Sequence, residues 1–90
     1  MSSIGEEMVF FLRAQSAMRD GDAIGALALL DEHARRFPSG ALEEERDASR
    51  VLALCAAGRT VEAKKAARAF LASHDRSPAA PRVRNSCAGL

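Results

Sequence analysis

The chain nearly repeats itself at a spacing of 37 residues, and that spacing restricts it to a few architectures. Laying residues 4–40 over 41–77 puts Glu6 and Glu7 on Glu43 and Glu44, Arg13 on Arg50, Gly21 on Gly58 and Ala26 on Ala63. Gly21-Asp22 and Gly58-Arg59 each separate two stretches whose apolar residues follow the helical period. Each unit therefore reads as helix, tight turn, helix. The predicted fold is all-α: two antiparallel helix pairs, repeat 1 over about 4–40 and repeat 2 over about 41–77, then a capping helix over about 78–88, in one domain spanning 1–90.

Local signals place the elements. Ser3-Ile4-Gly5-Glu6 has the form of a capping box and predicts the first helix from Ser3. Its apolar residues fall in two stripes, Ile4, Met8, Phe11, Leu12 and Met18 in one, Phe10, Ala14 and Ala17 in the other. Gly21 supplies a left-handed helix stop, and Asp22 is placed to cap a second helix running from Ala23 to about Arg36. That helix offers Ala23, Ala26, Leu27, Leu30, Ala34 and Phe37 as its packing face. Pro38 ends it, and Ser39-Gly40 turns the chain into a third helix over about Ala41 to Ala57. The acidic run Glu43, Glu44, Glu45 and Asp47 lies where a helix dipole is positive. Gly58 repeats the stop and Thr60 is the expected cap of a fourth helix, from Val61 to about Ser73, with Val61, Ala63, Ala66, Ala67, Phe70 and Leu71 inward. Ser77-Pro78 or Pro81 opens the final helix, whose inward positions are Val83 and Cys87.

Composition says how such helices must pack. Aromatics make up 4 % of the chain, all of them Phe, while 48 % of residues are apolar, so the core is expected to be Ala and Leu with close helix approach. Charge is divided along the sequence: residues 1–47 carry a net −5 and residues 48–90 a net +6. Such a dipole can orient a partner or a second copy. The longest uncharged apolar run near the start, Met8–Leu12, is too short for a signal core or a membrane span, so no membrane insertion is expected.

The order of these residues resembles the tetratricopeptide repeat. In repeat 1, Phe10, Ala14 and Ala17 stand at the packing set of the first helix, Ala26 and Leu30 at the small and large positions of the second, and Pro38 at the terminal proline. In repeat 2 the corresponding residues are Asp47, Val51 and Leu54, then Ala63 and Ala67, with Asp75 in place of the proline. The resemblance implies a fragment of a right-handed solenoid acting as a scaffold for other proteins. Phe37-Pro38-Ser39-Gly40 and Ser77-Pro78-Ala79, with the long period, look like repeats from Gram-negative envelope assembly and regulatory proteins, which implies a periplasmic or membrane-associated parent.

In such a stack the first helices line the concave side. Met8, Phe11, Gln15 and Met18 of repeat 1 would then stand beside Ala48, Leu52 and Cys55 of repeat 2, an apolar surface suited to an amphipathic helix or extended peptide. The same surface could pair with a second copy to give a homodimer, or be covered internally. Arg13 and Arg50 recur at one repeat position, where they could meet an acidic partner or pair with the Glu43–Asp47 run. Lys64, Lys65 and Arg68 stand on the outer face of the fourth helix, and with Arg76, Arg82 and Arg84 could touch an anionic surface. No aromatics interleave with them, which disfavours nucleic acid.

Cys55, Cys87, His33 and His74 lack zinc-type spacing, and no nucleophile–base pairing or phosphate loop is present, so neither a metal, a cofactor nor catalysis is expected. Each His falls near a helix end, where capping is the ordinary role. The repeat register sets Cys87 level with Arg50, about 7.5 Å along the helix axis from Cys55. That offset favours two buried thiols over a disulfide unless the last helix is shifted.

Overall fold

Gly21 and Gly58 have φ of +79° and +76°, left-handed backbone that glycine adopts without the Cβ clash other residues meet. Each closes its helix with the same two bonds. The Gly21 amide donates to the Met18 carbonyl and the Asp22 amide to that of Ala17, while the Gly58 amide donates to Cys55 and the Arg59 amide to Leu54. The two bends are thus structurally equivalent, as the 37-residue spacing predicts.

The computed structural model describes residues 4–89, and these form five helices and no strand: α1 (Ile4–Arg19), α2 (Ala23–Arg36), α3 (Glu43–Ala56), α4 (Thr60–His74) and α5 (Ala80–Arg84). α1 packs on α2, α2 on α3 and α3 on α4, with α5 laid across α3 and α4. Its radius of gyration, 12.2 Å, is what a globular domain of this length has, so the two hairpins share one core instead of forming a rod. That core is alanine-rich: Ala26, Ala48, Ala53, Ala63, Ala67 and Ala80 are sealed from solvent around Leu30, Val51, Leu54 and Val83. The small side chains permit the close helix approach that the scarcity of aromatics requires.

Several local expectations are corrected. The proposed Ser3 cap lies outside the described residues. Asp22 does cap α2, its carboxylate accepting from the Gly25 amide at 2.8 Å, but Thr60 is already helical and Arg59 occupies the cap position without a side-chain cap bond. The repeat explains this, because Asp22 corresponds to Arg59 and Ala23 to Thr60. Val61 is 83 % exposed, matching its counterpart Ile24, which also faces out near the start of its helix. On α1, Ile4 and Leu12 point to solvent, and the buried line is Glu7, Phe11 and Ala14. α3 starts at Glu43 because the amides of Ala41 and Leu42 are held by Glu7 instead of joining the helix.

The largest correction is at the C-terminus. The capping helix is confined to Ala80–Arg84, and Cys87 lies beyond it in a turn, exposed and disulfide-bonded to Cys55 with a Cα–Cα separation of 5.6 Å. The predicted offset presumed that the last helix continued in the register of α3. Instead the Ser86 hydroxyl donates to the Val83 carbonyl and accepts from the Ala88 amide, folding the chain back so that Cys87 reaches Cys55 and Ala88 enters the core.

Candidate functional site

The first helices of the two hairpins and α5 enclose a groove of about 280 Å³. α1 contributes Phe11, Ala14, Gln15, Met18 and Arg19, α2 contributes Leu30, α3 contributes Ser49 and Leu52, and α5 contributes Arg82. Helical spacing explains the α1 set, since residues 11, 14, 15, 18 and 19 recur at three and four positions and share a face. Arg82 is brought in by the turn that the disulfide and the buried Val83 hold against α3.

Four of the seven residues expected to meet a partner, Phe11, Gln15, Met18 and Leu52, converge here. The other three do not. Ala48 is sealed in the core because it is the counterpart of Phe11 on the more central α3. Cys55 is half-buried under its disulfide, and Met8 is half-buried outside the groove lining. Arg19, Ser49 and Arg82 were missed. Arg19 is four residues from Gln15 and Ser49 three from Leu52, so helical spacing could have found both, whereas Arg82 depends on the reversal after α5.

The cations expected to act electrostatically lie elsewhere. Arg13 is exposed and lines no described hollow. Arg50 donates to Asp31 of α2 at 2.9 Å, not to the acidic run on its own helix, because α3 lies directly against α2. Lys64, Lys65 and Arg68 are exposed on α4. With Glu45–Arg82 at 3.2 Å, the Asp31–Arg50 pair sets acids of the first half of the sequence against bases of the second, on the surface of the chain itself. A second hollow of about 340 Å³ runs between α3 and α4, with Glu43, Asp47, Arg50, Ser73 and His74 around Ala66, Ala69 and Phe70. No group of three or more His, Cys, Asp or Glu among the described residues is arranged to hold a metal. No helix of the described residues is long and apolar enough to cross a membrane.

A polar cluster that sequence reasoning did not identify joins α1 to the loop before α3. Glu7 is buried, its Oε2 accepting from the Ala41 amide at 3.1 Å and its Oε1 from the Leu42 amide at 3.2 Å. Gly40 leaves room for that carboxylate, which would have to shift to admit a Cβ. His33 is fully buried beside it and is not a helix cap, with Nε2 3.4 Å from Glu7 Oε1 but without hydrogen-bond alignment. Arg46, also buried, donates to the Phe37 carbonyl at 3.0 Å and to Asp47 at 2.8 Å and approaches His33 Nδ1 at 3.5 Å. Burial first, then the Arg46 guanidinium, holds the His33 imidazole below its ordinary range against the opposing pull of Glu7 and Asp47. Being sealed from solvent, the cluster fastens the two hairpins together and offers a substrate no access.

Compared with known proteins, the chain matches no family profile, no curated protein and no solved structure. Its fold is that of five helices in adjacent packed pairs, compatible with a helical repeat.

Proposed function

We propose that this chain is a tetratricopeptide-like interaction module that holds a helix or peptide of another protein in the groove between α1 and α3. The observation that carries this reading is the convergence of Phe11, Gln15, Met18 and Leu52 on one hollow. At about 280 Å³ the hollow is just below the usual range of small-molecule sites, which suits one or two anchoring side chains of a larger ligand. Met18 lends adaptability, since an unbranched thioether fills irregular gaps. Catalysis is not proposed, because the buried Glu7–His33–Arg46 cluster is closed to solvent and spent on structural contacts. The Cys55–Cys87 disulfide supports a working place in an oxidising compartment, in line with the resemblance to envelope repeats.

Selection of displayed random peptides against the full chain tests this. Peptides should be enriched whose binding is lost, by at least about tenfold, in Leu52→Ala, which removes a half-buried floor side chain without adding charge. Enriched peptides indifferent to Leu52→Ala would place the binding surface elsewhere. A second reading, pairing of two copies, would have to draw on Ile4 and Leu12, which stand half-exposed on α1, outside the groove lining.

A further inference from the structure

Among the nine residues that line the groove, two are cations and none is an anion. Its floor is apolar, built from Phe11, Ala14, Leu30 and Leu52, and its charged walls are Arg19 on α1 and Arg82 on α5. We infer that the groove selects an acidic partner: a peptide segment that seats a large apolar side chain on the floor and sets flanking Asp or Glu carboxylates against Arg19 and Arg82. The inference rests on the groove being the binding surface, as proposed above.

Both guanidinium groups are available for this. Arg19 is exposed, and none of the ion pairs of the described residues involves it. Arg82 touches Glu45 at 3.2 Å with its side chain half-exposed. A pair that open to water contributes little, and the fork of five N–H donors leaves others free for an incoming carboxylate. Glu45 competes for Arg82, but it does not line the groove. Beside a partly dry floor, a carboxylate–guanidinium contact is stronger than on open surface, and bidentate geometry adds orientation. A basic segment would bring like charges together while burying its anchor, so the same two residues also act by exclusion.

The position of Arg82 is not left to a loose tail. Val83 next to it is fully buried, the Ser77 hydroxyl before α5 donates to Glu44 at 2.5 Å, and the disulfide beyond α5 ends three residues from Leu52. The cation is therefore held in place before a ligand arrives, which lowers the ordering cost of binding.

Three displayed libraries separate the inference from the reading beneath it. All carry the same apolar anchor positions, and their flanks are restricted to Asp/Glu, to Ser/Gln or to Lys/Arg. The acidic library should yield binders at least about tenfold tighter than the other two, weakened by added salt and by Leu52→Ala. Arg19→Glu combined with Arg82→Glu should reverse the preference toward the Lys/Arg library. Because Arg82→Glu faces Glu45 and could loosen α5, Arg19→Glu alone is the second variant, and it should lower acidic-library affinity while leaving the helical circular dichroism unchanged. Binders that depend on Leu52 yet come equally from all three libraries would overturn the acidic preference and leave the groove standing. Absence of any Leu52-dependent binder would overturn both.

Discussion

Glu7 and Glu44, one repeat apart, each anchor the start of the segment that follows their own hairpin, and they do so by different bonds. Glu7 accepts directly from the Ala41 and Leu42 amides, in space left by Gly40. At the position equivalent to Gly40 stands Ser77, whose hydroxyl donates to Glu44 at 2.5 Å and itself accepts from the Ala79 amide. One side chain has been inserted into the relay. Glu7 is buried and Glu44 partly exposed, so the two are expected to differ in weight. Glu7→Ala leaves two amides unsatisfied and should cost about 2–4 kcal/mol, whereas Glu44→Ala should cost about 1 kcal/mol. Urea denaturation of both variants checks the order, and equal losses would contradict this account.

His33 and Phe37 pack at a tilt with ring centroids 5.3 Å apart, as do Phe70 and His74, so the order of the two ring types is reversed between the repeats. Only His33 is fully buried, with Glu7 of α1 and Arg46 and Asp47 of α3 around it, and its pKa is lowered from 6.5, chiefly by burial. Above pH 6.5 the imidazole is neutral in folded and unfolded chains alike. Below it the unfolded chain takes up a proton that the folded one resists, so stability falls with acidification until the depressed folded value is reached. The slope from this group is at most about 1.4 kcal/mol per pH unit. His33→Phe, which installs the side chain of the other repeat, should flatten the decline between about pH 6.5 and pH 5. An unchanged slope in that variant would remove His33 as its source.

The helical plan was legible because glycine at a left-handed bend is a local signal, and Gly21 and Gly58 carry it without help from distant residues. What stayed hidden depends on three-dimensional neighbours. Helical spacing cannot tell that α2 buries His33 while Ile24 on the same helix faces out, since that depends on where α1 and α3 lie. Arg46 reads as one more charge in an exposed acidic run, yet the carbonyl of Phe37 and the side chain of Asp47 satisfy it inside. The groove was half legible. α1 and α3 supplied Phe11, Gln15, Met18 and Leu52 by periodicity, but Arg82 required knowing that the chain reverses after five helical residues.

That reversal makes the Cys55–Cys87 bond the fastening of the C-terminal segment. It closes a loop with a sequence separation of 32, for which chain entropy alone gives about 3–4 kcal/mol of stabilisation. Cys87→Ser is expected to lower the stability of the oxidised chain by about that amount. Dithiothreitol should lower the wild-type melting temperature and leave that of Cys87→Ser unmoved. Amide exchange in the reduced protein should rise first over 77–89, with α1 and α2 retaining protection. Uniform loss of protection would mean that the bond braces the whole core and not this segment.

The proposed groove leaves the chain free to bind something other than itself, and this sets an expectation for its mass in solution. A stable pair of copies would bury about 800 Å² on each partner, a substantial part of the chain's 5262 Å² of accessible surface. The outward apolar residues of α1 are Ile4, Val9 and Leu12, with the half-buried Met8 between Ile4 and Leu12 and with Val9 three residues from Leu12 on the same side. Four side chains on one helix make a small patch, well short of the area such a pair needs. Light scattering across a dilution series should therefore return the 9.6 kDa monomer throughout. Leu12 is 51 % exposed, so Leu12→Glu should change neither the mass nor, by more than about 0.5 kcal/mol, the stability. A concentration-dependent dimer that this substitution dissolves would assign α1 to self-pairing.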